Sequence, residues 1–162
     1  AGLSAAVGGW TLATIGLANA VGSLASGWLS TRMSKRWLLA WIYLGRSVAI
    51  AAFILIPASP VTSILFGISI GVLWLSTVPP TSSLVMLMFG TRYMAMLYGF
   101  AFFSHQVGGF LGVWLGGLLY EINGNYSAVW WLSVLLGLAS ALINLPIKEQ
   151  PVVRAPALQP AE

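Results

Sequence analysis

The stretch G-W-L-S-T-R-M-S-K-R, from Gly27 to Arg36, is a short polar loop between two long apolar segments. It carries three of the seven Lys and Arg residues of the chain, namely Arg32, Lys35 and Arg36. Charged side chains are costly at the centre of a bilayer, so they collect where a chain leaves the lipid, and Lys and Arg collect mainly on the cytoplasmic side. The stretch therefore predicts a cytoplasmic turn between two membrane-spanning helices.

The composition indicates that lipid is the main solvent. Hydrophobic residues make up 59% of the 162 residues and charged residues 6%, whereas about a quarter of a soluble domain is charged. The bases lie in one loop, one short turn and a tail, so we interpret the net charge of +4 as a topology signal rather than a nucleic-acid surface. The absence of cysteine excludes disulfides and thiolate metal sites. The chain begins with Ala1 and Gly2 and has no signal peptide, so we expect a fragment.

Five segments have the length and apolar character of membrane spans, since about 20 apolar residues at about 1.5 Å each cross a hydrocarbon core of about 30 Å. The fold class predicted is therefore all-α, a polytopic membrane protein whose helical bundle covers residues 1–147. A proline-rich, polar tail, residues 148–162, is predicted to be disordered and cytoplasmic. The predicted spans are 4–29, 37–56, 62–88, 93–119 and 127–145.

Basic residues alternate in a way that predicts orientation. All of those outside the spans fall on one side, so we expect the N-terminus of this chain outside and its C-terminus in the cytoplasm, in the inner (plasma) membrane. These residues are Arg32, Lys35, Arg36, Arg92, Lys148 and Arg154.

Small residues at a spacing of four predict where helices approach each other closely, because packing in lipid depends on close backbone contact. Such pairs are Gly16 with Ala20, Gly67 with Gly71, and the run Gly108, Gly112 and Gly116. Pro79 and Pro80 interrupt the third span and predict a bend there.

Polar side chains inside the spans are the candidate site. Counted from the cytoplasmic ends, four of them lie about 13–18 Å deep, near the midplane. An ionisable group at that depth is a functional hypothesis by default. Arg46 could bind an anionic substrate or hydrogen-bond neighbouring carbonyls, and His105 could bind substrate, carry a proton or join two helices. Asn19 and Thr77 could contact substrate or hold helices together. The four residues are Asn19, Arg46, Thr77 and His105.

No acidic residue lies inside a span, so a carboxylate proton relay cannot be built from this chain alone. The sequence also shows no His and carboxylate cluster at metal-ligand spacing and no phosphate-binding loop. We therefore expect neither a metal nor a cofactor.

Two motifs resemble those of a known family. The loop Gly27 to Arg36 resembles the G-x-x-x-D-R-x-G-R-R loop of the major facilitator superfamily, with Thr31 and Ser34 departing from the pattern in favour of the weakened copy of the C-terminal half. F-G-T-R-Y-M-A-M-L-Y-G-F, residues 89–100, and W-L-G-G-L-L-Y-E-I-N-G-N-Y, residues 114–126, look like the last two helices of monocarboxylate-porter-like members.

The resemblance implies that the five spans correspond to helices eight to twelve of a twelve-helix secondary transporter, and that a missing N-terminal half is the partner. It implies transport of a small organic solute, a monocarboxylate or related organic anion, by alternating access as a symporter or antiporter. In the family, the first, third and fourth of these helices line the cavity, which favours His105 over Arg46. Tyr98 and Gln106 would then shape the pocket beside them.

Two other classes compete with the transporter. Gly67-Ile68-Ser69-Ile70-Gly71 matches G-x-S-x-G, which would make Ser69 and His105 the dyad of an intramembrane serine protease, although their unequal depth argues against contact. A non-transporting membrane assembly protein would use the same glycine pairs and leave the midplane dry.

Overall fold

The computed structural model describes residues 4–152, and these residues form helices and connecting loops without any strand. The predicted all-α fold is confirmed, and five helical segments are long and apolar enough to cross a membrane, with α3 and α4 together forming one of them. The helices are α1 (Ala5–Ser30), α2 (Lys35–Leu55), α3 (Pro60–Trp74), α4 (Val78–Phe89), α5 (Thr91–Asn123) and α6 (Ser127–Asn144).

The third span is broken between Trp74 and Val78 rather than continuous. Pro79 has no N–H to donate to the Leu75 carbonyl four residues earlier, and that carbonyl instead accepts from the Val78 N–H at 3.0 Å. Proline is tolerated in the first turn of a helix because N–H groups there have no intrahelical partner. The two prolines therefore end α3 and begin α4.

The closest helix contact joins α3 to α1, at two glycines that the spacing rule predicts. A Cβ atom added to Gly71 would lie 2.6 Å from the Ile15 carbonyl oxygen, and one added to Gly67 would lie 3.0 Å from that of Thr11. Gly22 of α1 meets the backbone of Val72 in the same way, a contact that spacing alone does not indicate. Only glycine allows the two backbones to come this close.

The other predicted glycine contacts are wrong for the described residues. A Cβ atom on Gly16, Gly108 or Gly112 would meet nothing within 4 Å, and one on Gly116 would only touch Val129 at 3.9 Å. The physical reason is that α5 packs only against α4 and α6 among the helices described. Its glycine run therefore lies on an open surface.

Helix α2 packs along α6 and also touches α3. The buried Ser47 hydroxyl lies within hydrogen-bond distance of the Tyr43 carbonyl, at 3.2 Å, and the Val134 carbonyl of α6, at 3.1 Å. Further along α2, the Phe53 ring stacks on Phe66 of α3 at 4.2 Å, and Trp130 of α6 lies 5.9 Å from each. Polar and aromatic contacts thus join α2, α3 and α6.

Residues 148–152, the start of the predicted disordered tail, are held against the bundle. The Val152 N–H donates to the Met88 carbonyl at 2.8 Å, and the Glu149 carboxylate accepts one hydrogen bond from the loop after α1 and one from the first turn of α2. Disorder does not extend to these residues because their polar groups find partners. The remaining predicted tail, residues 153–162, lies outside the described residues.

Candidate functional site

The break between α3 and α4 is where predicted site residues meet. Arg46 of α2 reaches it, with Nε donating to the Leu73 carbonyl at 3.0 Å and Nη2 donating to the carbonyls of Leu73 and Trp74. Carbonyls at the C-terminal end of a helix lack intrahelical partners and carry partial negative charge, so a guanidinium there is favourable. The Tyr43 ring lies 5.2 Å from the Arg46 Cζ atom on the same helix.

Asn19 of α1 contacts the same break. Its Oδ1 accepts a hydrogen bond from the Leu75 N–H at 3.0 Å. The buried Ser76 hydroxyl donates back to the Val72 carbonyl. Asn19 and Arg46 therefore satisfy a donor and two acceptors that the interruption of the helix exposes, as membrane interiors require of irregular backbone.

Thr77 lies in the break and precedes α4, and its side chain makes no capping hydrogen bond. Its carbonyl accepts from the Thr81 N–H at 3.1 Å and from the Thr81 hydroxyl at 2.6 Å. Three of the four predicted midplane residues, Asn19, Arg46 and Thr77, are thus brought together by one interruption in one span.

His105 is not brought to this group. It lies on α5, which touches α4 and α6 but makes no close backbone contact with α1, α2 or α3 among the described residues. The four residues share one predicted layer of the membrane, but in the described chain His105 lies apart from the other three, because α5 does not pack against α1, α2 or α3. The His105 imidazole is exposed and lies 6.2 Å from the Phe102 ring.

The residues beside His105 share its open environment. Gln106 is exposed and Tyr98 is half-buried, seven residues before His105 and so on the same side of α5. Within residues 4–152, the side chains of His105 and Gln106 have no hydrogen-bond partner. An unpartnered imidazole on a helix with no buried residue is available to a ligand or to another part of the protein.

The proposed serine protease dyad is contradicted by the structure. The Ser69 hydroxyl donates to the Leu65 carbonyl of its own helix at 2.8 Å. Helices α3 and α5, which carry Ser69 and His105, do not contact each other in the described chain. A nucleophile and its base need hydrogen-bond contact, so these two residues cannot act as a pair.

The basic loop between α1 and α2 is ordered by contacts of its own. The Thr31 hydroxyl donates to the Trp28 carbonyl at 2.8 Å, and the Arg32 guanidinium lies 4.1 Å from the Trp28 ring. A Cβ atom on Gly27 would lie 3.8 Å from the Pro79 Cβ, so this glycine sits where α1 passes the start of α4.

Glu149 also contacts this loop, and the sequence did not predict its role. Its Oε1 accepts from the Ser34 hydroxyl at 2.6 Å and from the Arg36 backbone N–H at 2.7 Å, which caps the first turn of α2. Partial burial raises the pKa of this carboxyl, but the hydrogen bonds and the nearby Lys35 charge outweigh burial and leave the pKa below its ordinary value. An acid shortly after the last span, opposite a loop rich in bases, was the available signal.

Among residues 4–152, no group of three or more His, Cys, Asp or Glu side chains could hold a metal ion.

One known protein family and two known proteins are similar to this chain. The family model described as Major Facilitator Superfamily matches residues 1–161. The chain is 27% identical over 143 residues to "Uncharacterized MFS-type transporter YcxA" of Bacillus subtilis (strain 168), covering 83% of this chain and 34% of that protein. It is 31% identical over 143 residues to "Monocarboxylate transporter 13" of Rattus norvegicus, covering 83% of this chain and 32% of that protein. The chain thus spans about a third of the length of these relatives, and no solved structure matches it.

Proposed function

We propose that this chain, which belongs to the major facilitator superfamily, is the C-terminal part of a secondary active transporter that moves a small organic anion by alternating access. The family and the named relatives are transporters rather than enzymes, and five candidate spans make this a multi-pass membrane protein. A further set of about seven helices would supply the other half, against which this half rocks around a site near the midplane.

The observation that carries the proposal is the break in the third span, where the side chains of Arg46 and Asn19 hydrogen-bond to the backbone. Irregular backbone at membrane depth is tolerated where it is buried in protein or lines a water-filled cavity, and transporters place substrate sites beside such breaks. Here Arg46 and Asn19 hold the break from two other helices. Side chains from two other helices thus satisfy backbone groups that the interruption leaves unpaired, which a simple bend in a helix would not require.

Arg46 acts in this proposal mainly as a positioning residue. Its Nε and Nη2 atoms are used by the Leu73 and Trp74 carbonyls, while the guanidinium has five N–H donors in all. Within the described chain Nη1 has no partner, so one edge of the cation remains to attract an anion into the cavity.

His105 is the residue that we propose contacts the substrate carboxylate or carries the coupled proton. Its imidazole is exposed and has no hydrogen-bond partner among the described residues, and an imidazole can both donate a hydrogen bond and carry a proton. Protonated, it would donate a charge-assisted hydrogen bond to a carboxylate; neutral, it would release the anion. Tyr98 and Gln106 of the same helix would line the pocket beside it, while Asn19 and Thr77 would shape the site at the helix break.

The substrate class rests on less than the transporter function does. One relative is named as a monocarboxylate transporter, and the predicted spans hold one basic residue, Arg46, and no acidic residue. Both features suit a solute with a single carboxylate, so a monocarboxylate is the substrate class that we propose.

Uptake assays on the full-length protein in vesicles test these roles. We expect His105→Ala to raise KM for the transported monocarboxylate about 10- to 100-fold, the range of a lost hydrogen bond to a charged group, and to weaken the dependence of uptake on pH, because the variant has no imidazole to carry a proton. Ser104→Ala, one residue earlier and equally exposed, is the matched control because its hydroxyl bonds only to the Ala101 carbonyl of its own helix. An unchanged KM and pH profile in His105→Ala would refute the proposed role.

The proposed location is the plasma membrane, with the basic loop in the cytoplasm. A single cysteine placed at Ser34 in a cysteine-free protein should react with a membrane-impermeant maleimide only after the cells are opened. Labelling in intact cells would show that the loop lies outside and would refute the proposed orientation.

A further inference from the structure

A cleft of about 300 Å³ lies between α2 and α6. It is lined by tryptophan, leucine and alanine side chains from residues 37–44 of α2 and 138–145 of α6, a length of about 10 Å along each helix. Its larger side chains are Trp37, Trp41, Leu44, Leu138, Leu142 and Leu145. The lining has no charged side chain, and its surface toward the cleft is apolar, so the chemistry suits an occupant that is largely hydrocarbon.

One end of the cleft is basic. Trp37 lies in the first turn of α2, next to Arg36, and Leu145 lies at the end of α6, three residues before Lys148. The Arg36 Nη1 atom lies 3.5 Å from the Ile147 carbonyl, so this side chain bridges the ends of the two helices that frame the cleft. Two cations therefore stand where the apolar cleft meets the loops.

The nearby acid does not neutralise these cations. Glu149 turns its Oε1 toward the Ser34 hydroxyl and the Arg36 backbone N–H, and no carboxylate of residues 4–152 forms an ion pair with the Arg36 guanidinium. Lys35, the first residue of α2, adds a further positive charge, and this charge helps to lower the pKa of Glu149. Counting Lys35, Arg36 and Lys148 against Glu149, the end of the cleft keeps an excess of positive charge.

We propose that this cleft binds a phospholipid with an anionic headgroup from the leaflet on the basic side of the membrane. One acyl chain lies in the cleft, and the headgroup phosphate accepts hydrogen bonds from Arg36 and Lys148. Charge complementarity carries the choice of headgroup, since basic residues next to a membrane surface attract anionic lipids. The exposed Trp37 ring lies at the depth of the headgroups, where amphipathic aromatic rings are favourable.

The shape of the cleft favours a flexible chain over another protein helix. Helices associate in lipid through small residues that let their backbones approach, but the rim here is bulky, with Trp41 60% and Leu142 66% exposed. An acyl chain adapts to such a rim because its bonds rotate freely. Free phosphate would use the two cations but would leave the cleft unfilled.

Native mass spectrometry of the full-length protein, stripped of lipid in detergent, tests the proposal with phosphatidylglycerol and phosphatidylcholine of identical acyl chains. We expect phosphatidylglycerol to bind more tightly. The double variant Arg36→Gln with Lys148→Gln should weaken its binding about thirtyfold, at about fivefold for each basic residue near a membrane surface. It keeps the Arg36 backbone N–H, and so keeps the bond to Glu149. Arg92→Gln, a basic loop residue before α5, is the matched control and should bind as the wild type does.

Photocrosslinking gives a second readout that needs no variant. Phosphatidylglycerol with a diazirine on an acyl chain should crosslink to peptides that contain residues 37–44 or 138–145. The proposal is overturned if the two lipids bind equally, if the double variant binds as the wild type does, or if crosslinks fall on other helices. Displacement of the lipid by millimolar inorganic phosphate would also overturn it, because the site would then be one for phosphate alone.

Discussion

Gly71→Ala places a methyl group in the close contact between α1 and α3. The added Cβ would lie 2.6 Å from the Ile15 carbonyl oxygen and 2.9 Å from the Ala18 Cβ, both on a helix that is itself rigid. An ordinary contact begins at 3.4 Å, so the two helices must separate by roughly 0.8 Å at this point, the difference between 3.4 and 2.6 Å. Overpacking of this kind costs about 1–3 kcal/mol.

The same shift reaches the candidate site. Leu75 lies one turn beyond Gly71, and its N–H donates to Asn19 of α1 at 3.0 Å. A separation of roughly 0.8 Å along that direction would lengthen this bond beyond the range of a hydrogen bond. We therefore expect Gly71→Ala to lower the stability of the full-length protein and, on the proposed function, its transport rate.

Gly16→Ala is the control that isolates packing from helix propensity. Both substitutions gain about 0.5–1 kcal/mol from replacing a helical glycine with alanine, but a Cβ on Gly16 meets nothing within 4 Å. The free energy of unfolding of the full-length protein in one detergent should therefore be about 1–3 kcal/mol lower for Gly71→Ala than for Gly16→Ala. Equal stability of the two variants would refute the close α1 and α3 contact.

Two further substitutions test the contacts of the break and of the loop. Arg46→Lys keeps the charge but replaces a forked donor with one ammonium group, so we expect the carbonyl of Leu73 or Trp74 to lose its partner and stability to fall by about 1–3 kcal/mol; a thermal midpoint equal to that of the wild type would contradict this. Glu149→Ala should speed hydrogen exchange at the Arg36 amide at pH 7. Because the folded pKa of Glu149 lies below its ordinary value of 4.5, the contact is fully present above pH 4.5 and is lost as the pH falls through that lower folded pKa, where the two proteins should exchange alike. Equal exchange at pH 7 would show that the carboxylate does not cap α2.

Much of the fold follows from composition and spacing. Runs of about 20 apolar residues predict helices because a chain in lipid must satisfy its backbone polar groups internally, and the helices observed lie within a few residues of the predicted spans, apart from the broken third one. The spacing of Gly67 and Gly71 also predicts a close contact correctly, since the two residues share one face of a helix.

The sequence predicted the candidate site less completely, because the site depends on which helices pack against each other. Depth along a helix places a residue at a level of the membrane but does not say which way it faces. Asn19, Arg46 and Thr77 share a level and also lie at one helix break, whereas His105 belongs to a helix that packs elsewhere in the described chain. The Gly16 and Gly108 predictions failed in the same way, because spacing says which residues share a face and not whether another helix covers it.

The sequence by itself determined the solvent, the helices, the basic loop and the family, because hydrophobicity, proline, charge and motif spacing are local properties of the chain. Only the tertiary structure decided that Pro79 and Pro80 open a gap clamped by Arg46 and Asn19, and that Glu149 caps a helix more than a hundred residues earlier. These contacts join residues that are far apart in the chain. They form because unpaired backbone groups, at the helix break and at the start of α2, take whichever partner the packing of the helices brings within reach.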